Sequence, residues 1–474
     1  MVGDKLITLI QTLTKVERNR FRKYLLSPYL NDQPDLVPLF DALDQSLREQ
    51  SALVQHKQQL WKRLYPRESF NDAQLRRMSS DLGQLCLDFL AAEARKENPL
   101  AKALDLQRLL DKPELRKHLA GVERQIQKLL SELSEHSSEH YHACFNIQHQ
   151  IFTRAAKTIT TTGYADKLLS ADRYLEYFYL TQKLKYFVNW LLYTRSRASE
   201  KELLLSAQVL ESIQQPEFQQ LPLLAIYEKI VQCLSEQEND EHYKTLLETI
   251  ENKGHALSPG DLRECYQIAQ NYCAIKINQG KREYYREMFD IFKKIIQKDI
   301  LLESGNLSEG LFKNIVTVGL GVGEYAWVQS FIETYTPFLP SDIRENARTF
   351  NLASLHFHQK KFRQVIALIQ DVEYSDLVYA LSAKQLLVRT YFELGEFIVL
   401  DSLIDSFKIY LRRNKQISKT QKMEYLNFLS YVKSMTVLTP RDHQKINKLS
   451  SRIEKASSVM PKKWLLEKID AFRR

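Results

Sequence analysis

Between positions 344 and 411 the chain repeats itself: a helix-length amphipathic segment, a tight turn and a second such segment occur twice in succession. In the second copy Tyr391, Gly395 and Phe397 are followed by Leu400, Ile404 and Phe407; in the first, Phe362, Val365, Ile369 and Val372 hold the matching places. Phe397 lies 35 residues after Phe362. A helix pair of that length cannot bury its apolar face alone, so successive pairs must stack and share one continuous core. Hairpin signals continue upstream at 223–252, at 262–297 with Gly280 in the turn, and at 311–335 with Gly323 in the turn.

Composition agrees with an all-α chain. Gly and Pro number only 13 each among 474 residues, while Leu, Lys, Glu, Gln and Arg, all good helix formers, dominate. The 24 Tyr and 22 Phe suit the irregular space between stacked helices, and core packing explains them without a ligand. The helix after Tyr164 is the most aromatic, with Tyr179, Tyr186 and Tyr193 at heptad spacing and Tyr177 and Phe178 on other faces, and is expected to be enclosed on several sides.

Residues 1–135 lack the repeat and are expected to form an N-terminal helical domain. Leu6, Leu9, Ile10 and Leu13 make the first segment an amphipathic helix, and Asp4 stands where a secretory leader carries positive charge. Ser27-Pro28 should break a second helix, because the residue before proline is pushed out of the helical region. Asn71 or Asp72 can cap a long helix from Ala73, with Leu75, Met78, Leu82, Leu85 and Phe89 as its buried stripe. The leucines of helix one with Glu17, Phe21 and Leu25 are similar to the start of a death-fold domain. Arg76 and Arg77 on the long helix suggest a helix-turn-helix. A small helical bundle produces both patterns by default, so a helical cap on the array is the reading carried forward. A Ser-, His- and Glu-rich stretch, 131–140, marks the boundary, and the array occupies 139–474.

Residues 344–411 resemble tetratricopeptide repeats, in which a helix-A aromatic, a turn glycine and a small helix-B residue let two helices pack closely. Tyr391, Gly395 and Phe397 carry the resemblance; Leu400 and Val365 stand where alanine is usual, and Lys360 where the turn glycine is usual. The resemblance implies an irregular tetratricopeptide-like α-solenoid. Leu25-Leu26-Ser27-Pro28-Tyr29-Leu30-Asn31, with residues 175–184, is also similar to a group of uncharacterised bacterial helical-repeat proteins, a resemblance that brings no activity with it.

No motif commits the chain to a chemistry. Gly319, Gly321 and Gly323 lack the third glycine of a dinucleotide fingerprint, where Glu324 stands, and no GK[ST] ending follows, so a close helix crossing is expected there. His136, His140, His142 and His149 cluster without a cysteine pair or HExxH, and His356 and His358 point apart on a helix. No catalytic residue, cofactor or metal site is expected, and the chain is read as non-enzymatic. Five scattered cysteines without a CxxC pair, and no apolar run near the ~20 residues a membrane span needs, lead to the expectation of a reduced, cytoplasmic protein.

Charge is distributed unevenly. Residues 411–474 hold 16 Lys or Arg against five acids, +11, whereas the whole chain carries +9. Arg441, Lys445, Lys448, Arg452 and Lys455 step by four, three, four and three, which confines them to one face of a helix beside an apolar stripe of Ile446, Leu449, Ile453 and Met460. This basic C-terminal cap can dock by the stripe and present the cations to an anionic partner. Trp464, Leu465, Ile469 and Phe472 are expected to pack the last helix, which leaves too few aromatics for sequence-specific nucleic-acid readout. The expected function is therefore a scaffold that binds a protein or peptide partner on its array surface. The alternative is nucleic-acid or anionic-surface binding through the ridge.

Overall fold

A computed structural model of the chain describes residues 4–49, 56–158, 164–193, 207–370, 377–456 and 461–473. Val372 and Met460, assigned above to apolar stripes, lie outside the described residues. Among those residues there are 24 α-helices and no strand, and the chain divides into two compact units, 1–182 and 183–474.

The first unit begins with α1 (Asp4–Thr12), α2 (Lys15–Leu25), α3 (Leu36–Arg48), α4 (Lys57–Leu64) and α5 (Asp72–Glu97). Their apolar stripes close one core around Phe21, Phe40, Trp61, Leu82 and Phe89. The start of α2 is a reciprocal cap: Glu17 N–H donates to Thr14 Oγ1 at 3.2 Å and Thr14 N–H donates to the Glu17 carboxylate at 2.7 Å. Its end, ahead of Pro28, is closed by buried Asn31, whose Nδ2 donates to Leu25 O at 2.8 Å. On α5, Asn71 Oδ1 accepts from Gln74 N–H at 3.0 Å, and Leu75, Met78, Leu82 and Phe89 are buried with Leu85 half-buried. Then follow α6 (Pro99–Leu109), α7 (Arg116–Ser131), α8 (Ser138–Thr158) and α9 (Tyr164–Tyr193), with a second cluster at Ala103, Ile126 and Ile147. The expected enclosure of α9 is not what forms. Leu180, Leu184 and Val188, four apart, are buried, whereas Tyr179 and Tyr186 are 50% and 62% exposed.

The second unit continues with α10 (Ala207–Ile213) and α11 (Pro216–Gln219), then five consecutive helix pairs: α12 (Pro222–Ser235) with α13 (Asp240–Lys253), α14 (Pro259–Asn278) with α15 (Tyr284–Gln297), α16 (Glu309–Gly321) with α17 (Tyr325–Tyr335), α18 (Arg344–His358) with α19 (Phe362–Ile369), and α20 (Leu377–Leu394) with α21 (Phe397–Arg413). The chain ends with α22 (Lys419–Met435), α23 (His443–Lys455) and α24 (Lys462–Ala471). From α10 to α22 each helix packs on the next, α24 packs on both α23 and α22, and first helices of neighbouring pairs also meet, α12 on α14, α16 on α18 and α18 on α20.

The repeat is visible atom by atom in the turns. Phe357 and Phe362 meet edge to face at 5.5 Å, and Phe392 and Phe397, each 35 residues later, repeat the contact at 6.0 Å. Val365 and Leu400, where alanine was usual, are both fully buried. At Gly280, Gly323, Lys360 and Gly395 the backbone is left-handed, with φ of 95°, 82°, 59° and 70°. The next N–H in each turn returns to a carbonyl five residues back, as in Lys361 N to His356 O at 2.8 Å and Glu396 N to Tyr391 O at 3.0 Å. Lys360 thus occupies a glycine position with a side chain that strains it. Lys360→Gly is expected to stabilise this turn by about 1 kcal/mol, the left-handed penalty less the added unfolded-state entropy. Hydrogen exchange over residues 356–366 should slow accordingly.

The glycine run of α16 has a packing cause. A Cβ on Gly319 would lie 2.5 Å from Val328 Cγ2 of α17, and one on Gly321 would lie 3.2 Å from the Tyr285 ring. Gly319→Ala should therefore force α16 and α17 apart and cost about 2 kcal/mol. A lowered urea midpoint would register this.

Candidate functional site

The predicted ridge residues are placed on and next to α23. Lys445, Lys448, Arg452 and Lys455 lie on the helix and are exposed; Arg441, also exposed, lies in the turn before it, because α23 begins only at His443. Ile446, Leu449 and Ile453 are buried beneath them. Lys445 Nζ is 2.9 Å from the Asp442 carboxylate, which, with bonds from Thr439, holds the Asp442 carboxyl down to about 2. The Arg452 guanidinium lies 5.7 Å over the Tyr431 ring. Two members of the ridge are thus partly engaged, and Trp464 and Leu465 are buried as the last helix packs.

The clustered histidines are engaged close to home. His136 precedes α8 and meets the Tyr141 hydroxyl at 3.4 Å, His140 Nε2 contacts Cys144 Sγ at 3.3 Å, and His142 Nε2 contacts Asn146 Nδ2 at 3.2 Å. Among the described residues, no three His, Cys, Asp or Glu are grouped to hold a metal ion, and no helix is long and apolar enough to cross a membrane. All five cysteines are buried and unpaired.

A groove of about 730 Å³ opens between α14, α15 and α16. Residues 298–308, the segment between α15 and α16, supply part of its wall. Ser304 and Gly305 have φ of 50° and 78°, and Glu303 and Asn306 exchange backbone hydrogen bonds of 2.9 Å, making a tight reversal. Arg263 of α14 pins this segment: its Nε donates to Ile300 O at 2.7 Å and its Nη2 to Leu302 O at 2.9 Å. From the other side, Leu307 N–H donates to Phe338 O at 2.9 Å.

The floor of the groove is a ladder of amides. Gln267, Asn271 and Asn278 share one face of α14, joined by Gln270 and, from α16, Asn314. Gln270 Nε2 is buried without a hydrogen-bond partner. Met288 and Phe292 of α15 provide an apolar wall. An amide offers both a donor and an acceptor, so this surface can pair with either group of an extended main chain. Sequence reasoning missed these residues. The signal for them was the spacing of Gln267, Asn271 and Asn278, steps of four and seven that place three amides on one stripe of the helix.

No protein-family model, curated protein or solved structure matches the chain. Its class is that of an all-helical protein built from sequentially packed helix pairs.

Proposed function

We propose that the chain is a non-catalytic binding scaffold, a tetratricopeptide-like solenoid that holds an extended peptide segment of a protein partner. The observation that carries this is the amide-lined groove of about 730 Å³ between α14 and α16, with the unpartnered Gln270 amide in its floor. Amides facing a main chain bind with little demand on partner sequence, and the wall formed by Met288 and Phe292 adds preference for an apolar side chain. The buried, unpaired cysteines support a reducing, cytoplasmic setting.

The test is selection of peptides by the full chain from a displayed random library, repeated with Asn278→Arg/Asn314→Arg. Both positions are exposed, so the variant fills the groove without disturbing the core. Peptides recovered by the parent should bind the variant about tenfold or more weakly. Equal binding to both proteins, or no enrichment, would remove the groove as the binding surface.

The ridge supports a second reading, an anionic surface such as a nucleic-acid backbone, because Lys448 and Lys455 stand exposed on a helix held by its apolar stripe, with Arg441 exposed in the turn before it. Affinity for a duplex DNA probe should then fall by at least about tenfold between 50 and 200 mM salt, as counterion release requires. Lys445→Glu/Arg452→Glu should abolish it while leaving peptide binding intact. Salt-independent DNA affinity, or none, argues against the ridge.

A further inference from the structure

A second cavity, of about 290 Å³, opens where α16, α18, α20 and α22 meet, and Arg389 of α20 forms part of its wall. The guanidinium lies over two aromatic rings: its Cζ is 4.2 Å from the Phe357 ring centroid and 5.4 Å from that of Trp464. Its Nε is buried with no hydrogen-bond partner. The two acids that act on it electrostatically are already engaged. Glu393 accepts from Trp464 Nε1 at 2.7 Å and from Lys468 Nζ at 2.6 Å, and Glu467 lies 3.8 Å from Lys463. Burial lowers the Arg389 pKa only to about 10, so the side chain is a cation at neutral pH.

Arg389 is half-buried, and the two acids that act on it, Glu393 and Glu467, each also serve a lysine, so a further anion beside its unpartnered Nε would offset part of the cost of taking the cation out of water. Arg389 lies beside the Phe357 and Trp464 rings with its Nε–H unpartnered, and a guanidinium edge matches a carboxylate in bidentate fashion. The rest of the wall restricts the charge of the guest. Lys313 adds a second cation but sits 5.6 Å over the Phe350 ring, and Glu424 contributes a carboxylate to the same cavity. With the Glu424 carboxylate in the same wall as Arg389, the cavity suits a guest of low charge and disfavours a phosphate dianion. Phe350 and Leu386 give an apolar surface for the ligand's body, and Ser354 and Ser382 add hydroxyls.

We propose that this cavity binds a small organic monocarboxylate, held by the Arg389 guanidinium with its apolar body against Phe350 and Leu386. The site is separate from the amide groove and does not depend on the peptide-binding reading.

Titration calorimetry on the full chain tests it with three probes: benzoate, its neutral isostere benzamide, and inorganic phosphate. Benzoate should bind at concentrations below about 10 mM, with benzamide and phosphate about tenfold weaker or more. Arg389→Met should weaken benzoate by about tenfold, and Arg389→Lys should restore part of that loss. Glu424→Gln, which removes a like charge, should tighten benzoate about threefold. A gain of affinity cannot come from misfolding, so this variant decides the case even if Arg389→Met unfolds. Absence of benzoate binding, equal affinity for benzamide or phosphate, or unchanged or weaker binding by Glu424→Gln would each overturn the proposal.

Discussion

Asp240→Asn is expected to destabilise the unit 183–474 by about 3 kcal/mol, because it leaves a fully buried ammonium without its counter-charge. The cation is Lys276 of α14, whose side chain is wholly enclosed. Its Nζ donates to the Asp240 carboxylate at 2.7 Å and to Gln237 O, and lies 5.2 Å and 5.9 Å over the Tyr272 and Tyr284 rings. The tyrosine hydroxyl of Tyr272 adds a 3.3 Å bond to the same carboxylate, and Lys281 lies 3.4 Å from its other oxygen. Asp240 is itself 42% exposed, so the figure is at the low end of what breaking a buried pair costs. Lys276→Met keeps the length of the side chain and removes the buried charge, and should cost less than about 1 kcal/mol. The double variant Asp240→Asn/Lys276→Met should therefore be more stable than Asp240→Asn alone. Strict additivity would mean that the pair does not act as a unit.

The same pair sets an acid limit. The hydrogen bond from Lys276 holds the Asp240 carboxyl down to about 2, below the usual carboxylate value near 4. A carboxyl lowered on folding contributes fully above its unfolded value and loses that contribution as pH falls through its folded value. Stability should thus decline between about pH 4 and pH 2 with a component that Asp240→Asn lacks. Urea midpoints of parent and variant at pH 6, 4 and 2.5 should converge as the medium becomes more acid. Parallel curves would assign the acid sensitivity to other groups.

How much of this was legible in the chain depends on whether the cause is local. Turn glycines 280, 323 and 395 announce themselves because few other residues tolerate a left-handed backbone, and all three were placed from sequence. Lys360 was read as a departure from the repeat, yet the stack imposes the glycine conformation on it, since the 35-residue register of Phe357 and Phe362 fixes where the chain must reverse. The Gly319 run was likewise read as a close crossing, and Val328 supplies the contact that explains it. The stripe of Ile446, Leu449 and Ile453 was recovered, and Arg441 fell off the ridge because helix start depends on the turn at Thr439 and Asp442. The groove was not foreseen. It depends on a segment between helices whose position is set by Arg263, 37 and 39 residues away from the carbonyls it holds, and no local pattern encodes such a reach.

Arg263→Ala should consequently have an effect on binding out of proportion to its place in the groove. The side chain bridges α14 to the 298–308 segment through two charge-assisted bonds to main-chain oxygens, and its loss should cost about 3 kcal/mol, concentrated in that segment. Leu301 and Leu307, which this segment contributes to the groove wall, would no longer be held against α14. Hydrogen exchange at residues 300–307 should accelerate while α18 to α21 keep their protection. Peptides selected by the parent should lose most of their affinity, although Gln267, Asn271, Asn278 and Asn314 are all unchanged, because a preformed groove has become one the ligand must order. Arg263→Lys should recover only part of both effects, since a single ammonium lacks the guanidinium fork that reaches both carbonyls. A loosened segment with peptide affinity intact would place the partner away from this groove.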